Sequence, residues 1–373
     1  MRDYAVAFLT NAGYFAAVLF LPVYAESAAV GASEGQIGVI VAGGNFAGFL
    51  SSFLFGRLAD VRGRRAVLLA GVGATGAAVL LPLTAADPLA LGLFWFAFGF
   101  AGGMFPGSLL AHAYETGRPP GRFSAVGSLG WGTGTFLAGI VATSLQQRWS
   151  FALAAVLYLL AFLAATGIRF GPAERLDVPL FPRAVIRRNW PAYAAILVRH
   201  TGANMIWVIF PLYLLQDLRL SGFEIGLLYT VNAGTQFLVM LLAADRVRSP
   251  RLVFAGLGLS AATFVAFTLA RDFWTMVPAQ VALGTSWSFL YVGALKFVLE
   301  RGAERATSSG LLSSAISISA TVGPLLGGII AQGFGRPMTM YIAAVLAVVS
   351  MGVFATTLRR HNARSSAAES TAK

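Results

Sequence analysis

Arg199 and His200 sit side by side within a long apolar stretch, a setting in which an ionisable side chain is costly and therefore informative. Asn204 and Trp207 fall on the same helical face as His200, four and seven residues on. An arginine presents its N–H donors in a fixed fork that matches carboxylate or phosphate oxygens, whereas a histidine titrates at about pH 6.5 and can take or release a proton. The pair thus suits either of two tasks: holding an anionic or polar group of a ligand, or proton exchange at His200 in a coupled step. A structural hydrogen bond to a neighbouring helix competes with both.

The elements that position this pair follow from composition. The chain of 373 residues is 57% hydrophobic and 11% charged, with mean hydropathy +0.74, which excludes a water-soluble globule. A hydrocarbon core of roughly 30 Å needs about 20 helical residues. Twelve charge-poor stretches of that order recur, near residues 4–25, 36–56, 66–86, 89–113, 123–145, 149–168, 191–215, 224–243, 252–270, 274–297, 306–331 and 337–358. The rest is short loops and one longer segment, so function must reside in an all-α membrane bundle. If the seventh stretch begins near Pro191, a rise of about 1.5 Å per residue puts Arg199 and His200 roughly 12–14 Å deep, facing a cavity.

A net charge of +12 would suit nucleic acid in a soluble domain, but its placement argues otherwise. With the amino terminus inside, the inner segments hold 22 of the 27 Lys and Arg residues. Outer loops hold Arg148, Arg219, Arg271 and Arg336, and Arg199 alone lies within a span. This bias predicts both termini in the cytoplasm of a multi-pass plasma-membrane protein, with membrane lipids and no nucleic acid among its partners. There is no cysteine, and neither a metal nor a cofactor is expected. His112, His200 and His361 are dispersed and no nucleophile stands beside a base within the spans, so enzyme chemistry is not expected. None of the fifteen carboxylates lies mid-span, Glu26 near the outer end of the first stretch being the nearest. Proton coupling then falls to Glu26 or His200, and an uncoupled facilitator is the other reading.

Internal similarity divides the chain. Phe20-Leu21-Pro22-Val23-Tyr24 is echoed by Ile209-Phe210-Pro211-Leu212-Tyr213, and Asp60, Gly99 and Glu115 by Asp245, Gly284 and Glu300, at shifts between 185 and 189. Two parallel six-helix halves, residues 1–168 and 191–358, are expected around a cytoplasmic linker, 169–190, with a polar tail at 359–373. The third, sixth, ninth and twelfth spans carry only scattered polar residues such as Thr75, Tyr158, Ser260 and Thr356, and read as lipid-facing scaffold. Polar stripes in the others, Asn11 with Tyr14, Tyr229 with Asn232 and Gln236, and Ser309 to Thr321, face a shared interior or pack helices closely. Trp131, in a glycine-rich span, offers a ring to a ligand or to the core. By the repeat, His200 corresponds to Asn11.

Between the second and third stretches runs Gly56-Arg57-Leu58-Ala59-Asp60-Val61-Arg62-Gly63-Arg64-Arg65-Ala66, which fits GxLxDxxGRR. This turn resembles the signature loop of the major facilitator superfamily of secondary transporters, and the resemblance extends over residues 1 to 358. It implies twelve helices as two six-helix repeats and a cytoplasmic gate made by Gly56, Asp60, Gly63, Arg64, Arg65 and Glu115. In such a gate Asp60 meets either the start of the eleventh span or an arginine of its own loop, and Glu115 meets Arg64. The implied activity is transport of a small organic solute by alternating access, driven by protons or not, in a protein expected to be monomeric. Asn11, Tyr14, Trp131, Arg199, His200, Asn204, Trp207, Asn232 and Gln236 are the candidate ligand contacts. Export of hydrophobic compounds is the alternative, weakened because Gly323-Pro324-Leu325-Leu326-Gly327-Gly328 places a GPxxGG pattern in the eleventh span rather than the fifth. A non-transporting sensor ranks lower.

Overall fold

The computed structural model describes residues 1–62, 64–118, 120–170, 183–242, 247–301 and 305–371. The helices are α1 Arg2–Leu19, α2 Leu21–Glu26, α3 Glu34–Arg62, α4 Arg64–Ala78, α5 Pro88–Gly103, α6 Pro106–Glu115, α7 Pro120–Ser144, α8 Trp149–Thr166, α9 Arg183–Trp207, α10 Phe210–Leu212, α11 Gly222–Leu242, α12 Ser249–Leu269, α13 Phe273–Leu299, α14 Arg305–Phe334 and α15 Arg336–Thr371. Among the described residues ten helical stretches are long and apolar enough to cross a bilayer, and an eleventh is counted when α9 and the Phe210–Asp217 segment are taken as one bent span.

Breaks fall where proline dictates. Pro106 and Pro211 each stand in the first turn of a new helix, and the residue before a proline is pushed away from helical geometry. The span expected at 89–113 is thus interrupted at Met104–Phe105. That expected at 191–215 bends by 41° between Trp207 and Phe210. Pro191 does not start a helix: α9 begins at Arg183 and runs through it. The first two turns of α9 therefore form a basic collar, Arg183, Arg187 and Arg188, ahead of the apolar stretch. Likewise α15 continues to Thr371, beyond its apolar part ending at Thr356.

Packing separates α1–α8 from α9–α15. Within the first group α3 packs on α5, and α1 on α7 and α8; within the second α9 packs on α14 and α15, and α12 on α13. The groups meet through α3 against α14 and α7 against α11. Glycine sets the closest approaches, because without a hydrophobic drive between helices in lipid, backbone proximity supplies the dispersion energy. A Cβ on Gly99 of α5 would lie 2.9 Å from the Gly44 Cα of α3. We expect Gly99→Val to cost about 1–3 kcal/mol by overpacking, read as a lowered melting temperature of the detergent-purified protein.

Corresponding positions of the two groups do the same work. Asp87 caps α5 by accepting from the Ala90 amide at 2.9 Å, and Asp272, 185 residues on, caps α13 by accepting from the Thr275 amide at 2.8 Å. The latter bond, with the Thr275 hydroxyl, holds the Asp272 carboxyl below its ordinary range. The Tyr24 hydroxyl donates to the Pro82 carbonyl at 2.9 Å, and that of Tyr213, 189 residues on, to the Phe267 carbonyl at 3.1 Å.

Candidate functional site

A cavity of about 390 Å³ lies between the two helix groups. From the first group α1 contributes Tyr14 and Phe15, α3 Asn45, α5 Trp95, and α7 Trp131 and Thr135. From the second α9 contributes Arg199, His200, Asn204 and Trp207, α11 Tyr229 and Gln236, and α13 Trp287. Four of the seven tryptophans therefore surround one space, and among the described residues no carboxylate lines it.

Arg199 is only 2% exposed. Its Nε donates to the Ser260 hydroxyl at 2.9 Å and its Nη2 to the Ser286 hydroxyl at 3.4 Å. The guanidinium carbon sits 5.2 Å from the Phe264 ring centre and 5.5 Å from that of Trp287, favourable cation–π positions. Among the described residues no carboxylate pairs with it. Beside it the His200 ring stacks on Trp287, 4.5 Å between centres, and its Nδ1 has no hydrogen-bond partner among the described residues. Across the cavity the Trp131 indole N–H is likewise buried without an acceptor.

The other expected contacts divide. Asn204, Trp207, Gln236, Tyr14 and Trp131 line the cavity, the first with its amide donating to the His200 carbonyl at 2.9 Å. Asn232 does not reach it. Its amide donates to Gln280 Oε1 at 2.8 Å and its carbonyl accepts from Gln236 at 2.7 Å, so it orients Gln236 from behind. Asn11 lines a second cavity of about 500 Å³, shared with Tyr14, Phe15 and Trp131 and reaching toward the chain-terminus end of the bundle past Ala7 and Phe123. Its amide is bonded to the Ala7 carbonyl of its own helix. Ser317 and Thr321 also bond within their own helix, and the Ser309 side chain lies outside the described residues.

The ninth span, expected to be scaffold, does supply a polar contact: Ser260 on α12 holds Arg199. Of the gate loop, Gly63 lies outside the described residues, as do the side chains of Asp60 and Glu115 and the environment of Gly56. Arg64 opens α4, and the Arg65 Nη2 donates to the Thr166 carbonyl at 3.0 Å.

Sequence reasoning missed a cluster at the end of the bundle opposite the termini. Arg336, at the start of α15, donates from Nε to Glu34 at 2.5 Å, from Nη1 to Asp217 at 2.7 Å, and from Nη2 to Gln216 at 2.7 Å and Glu26 at 3.3 Å. The Gln216 amide also donates to Glu26. Glu26 and Glu34 belong to the first helix group, the other three to the second, so one arginine ties the groups together. Glu34, Asp217 and Arg336 looked like isolated outer-loop charges in sequence, and Glu26 stood out only by its place near the outer end of the first span. The usable signal was the concentration of four of these residues at helix ends on the same side.

The profile of the Major Facilitator Superfamily matches residues 4–198 and 192–373. The chain belongs to that superfamily. It is 24% identical over 163 residues to Quinolone resistance protein NorA of Staphylococcus aureus, covering 42% of each chain. It is 27% identical over 160 residues to Multidrug resistance protein 2 of Bacillus subtilis, covering 42% of this chain and 40% of that one. The chain thus matches about two fifths of the length of these curated relatives. The crystal structure of the nucleoside transporter NupG superposes with a TM-score of 0.79 at 12% identity, covering 96% of this chain and 98% of that one. A mutant of the same transporter gives 0.81 at 14%, covering 95% and 98%. At such identity the likeness is one of fold.

Proposed function

We propose that the chain is a secondary transporter of a small organic solute, working by alternating access about the aromatic cavity. The observation that carries this reading is the cavity's position, lined from both helix groups beneath an ionic tie between them. The halves are residues 1–168 and 191–358, with 169–190 as linker and 359–373 as tail. Twelve spans follow if α3, 29 residues long, joins the ten and the bent pair. The matching caps and tyrosine bonds at shifts of 185 and 189 support parallel repeats. The basic excess of the loops on the terminus side supports cytoplasmic termini, and the plasma membrane is the residence proposed with them. In that orientation the Arg336 cluster is the outer gate, closed, and the Gly56 to Arg65 turn with Glu115 is the inner latch of the opposite state. For a coupling proton the candidates are Glu26, which must part from Arg336 as the gate opens, and His200, with an uncoupled facilitator as the other reading.

Export of hydrophobic compounds is the second reading, favoured by the aromatic lining and by the resistance proteins among the relatives. Purified protein in liposomes separates the readings: flux of a bound ligand, with its direction set by imposed pH and voltage gradients, is the expected result. No flux of any ligand that binds would overturn transport.

Closure of the outer end also rests on glycine. A Cβ on Gly139 of α7 would meet the Gly222 carbonyl oxygen at 2.7 Å and the Gly226 Cα of α11 at 3.0 Å. We expect Gly139→Val to disfavour the closed state by about 1–3 kcal/mol, a shift of population of about fivefold or more. Since the chain has no cysteine, a Val18→Cys probe in the cavity wall reports this directly. Its reaction with a membrane-impermeant maleimide from outside rises in the Gly139→Val background, and an unchanged rate counts against outward closure.

A further inference from the structure

We infer that the cavity is built for an aromatic monoanion, a planar ring system carrying one carboxylate or similar oxyanion. This rests on the cavity being the transport site and adds the class of its cargo. Three observations converge. The first is charge. Arg199 is buried, arginine stays protonated in proteins, and its two serine partners are neutral. An isolated buried cation is expensive, and among the described residues no carboxylate compensates it. One anionic ligand group balances the site; a dianion leaves a negative charge over, and a cation meets Arg199 with no carboxylate to receive it.

The second observation is the direction of the unmet hydrogen bonds. The Trp131 indole nitrogen can only donate, and among the described residues it is buried without an acceptor, on α7 of the other helix group from Arg199. Two serine hydroxyls occupy only two of the guanidinium's five donors. Arg199 and Trp131 therefore both ask for acceptor oxygens, which a carboxylate supplies in number, while His200 Nδ1 accepts or donates according to its tautomer. The third is shape. Trp95, Trp131, Trp207 and Trp287 line a volume toward the small end of the roughly 300–1,000 Å³ typical of organic ligand sites. Contact with the aromatic walls then provides affinity, and the oxyanion orientation.

The test uses the protein and probes that share a ring and side-chain length and differ in the terminal polar group and its charge: phenylacetate, phenylacetamide and phenethylamine, and indole-3-acetate, indole-3-acetamide and tryptamine. Binding is read by thermal shift at millimolar concentration and then by titration. The expected result is that at least one acid binds, about tenfold or more tighter than its amide, with the amine inactive. An amide or amine that matches its acid, or no shift from either acid, overturns the proposal. Trp131→Phe keeps the ring and removes the donor, so the acid should weaken several-fold while the amide changes less; equal loss for both would remove Trp131 from the oxyanion site. Flux in liposomes keeps the two readings apart. If the amide or amine binds best and is carried, transport stands and the anion assignment fails. If the acid binds and is not carried, the anion site stands and transport fails.

Discussion

Arg199→Met is expected to raise the melting temperature of the empty protein while removing its hold on an anionic ligand. Methionine fills a similar length and places a polarizable sulfur near Phe264 and Trp287, the rings that the guanidinium now sits over. The serines are not orphaned by the exchange. Ser260 also donates to the Gly256 carbonyl at 2.7 Å and Ser286 to the Leu283 carbonyl at 2.8 Å, both within their own helices. What disappears is a desolvated charge without a counter-charge, and replacing buried ionic groups by well-packed apolar ones is often stabilising by about 1–4 kcal/mol. Losing the partner of a ligand oxyanion costs about 2–5 kcal/mol of binding, at least thirtyfold. Opposite signs in the two readouts mark a functional charge. A melting temperature that falls together with binding would instead identify Arg199 as a structural tie among α9, α12 and α13.

The second large effect is at the other end of the bundle. Arg336→Ala leaves Glu26, Glu34 and Asp217 facing one another with no cation between them, so attraction across the two helix groups turns into repulsion. Charged hydrogen bonds of this kind contribute about 1.5–3 kcal/mol each. Discounted for the partial exposure of the carboxylates, the closed state should lose about 2 kcal/mol, a shift in population of about thirtyfold. Spin labels on Ser33→Cys and Ser221→Cys, at the starts of α3 and α11, would report longer and broader distances in the variant. Arg336→Lys should restore the closed distance only in part, since an ammonium cannot serve three carboxylates in a fixed fork. An unchanged distance distribution would mean that the glycine contacts alone hold the end shut.

Much of this architecture is legible in the chain itself, for identifiable reasons. Helical spans declare themselves because lipid demands an uninterrupted apolar stretch, and the Gly56 to Ala66 turn is local enough to be read as a motif. Arg199 stands out for the same reason, as the basic residue that breaks the rule. Its partners do not: Ser260 and Ser286 lie 61 and 87 residues away, and nothing local distinguishes them from other helical serines. Asn11 and Asn232 show the converse difficulty. A polar residue on an inward face faces a cavity or a neighbouring helix, and only packing decides. Asn232 meets Gln280 from 48 residues away, while Asn11 turns to a second cavity. The start of α9 was misplaced because proline was read as a boundary, although it sits here in a helix whose packing against α14 and α15 carries the chain past it.

The distribution of indoles has one more consequence. Trp95, Trp131, Trp207 and Trp287 enclose the cavity, whereas Trp149, Trp190 and Trp274 are 42%, 50% and 78% exposed. The protein therefore carries its own optical indicator: the four inner chromophores emit from a sheltered environment that any occupant must alter, over a steady background from the outer three. Its filling and emptying can be followed in real time, with no dye attached.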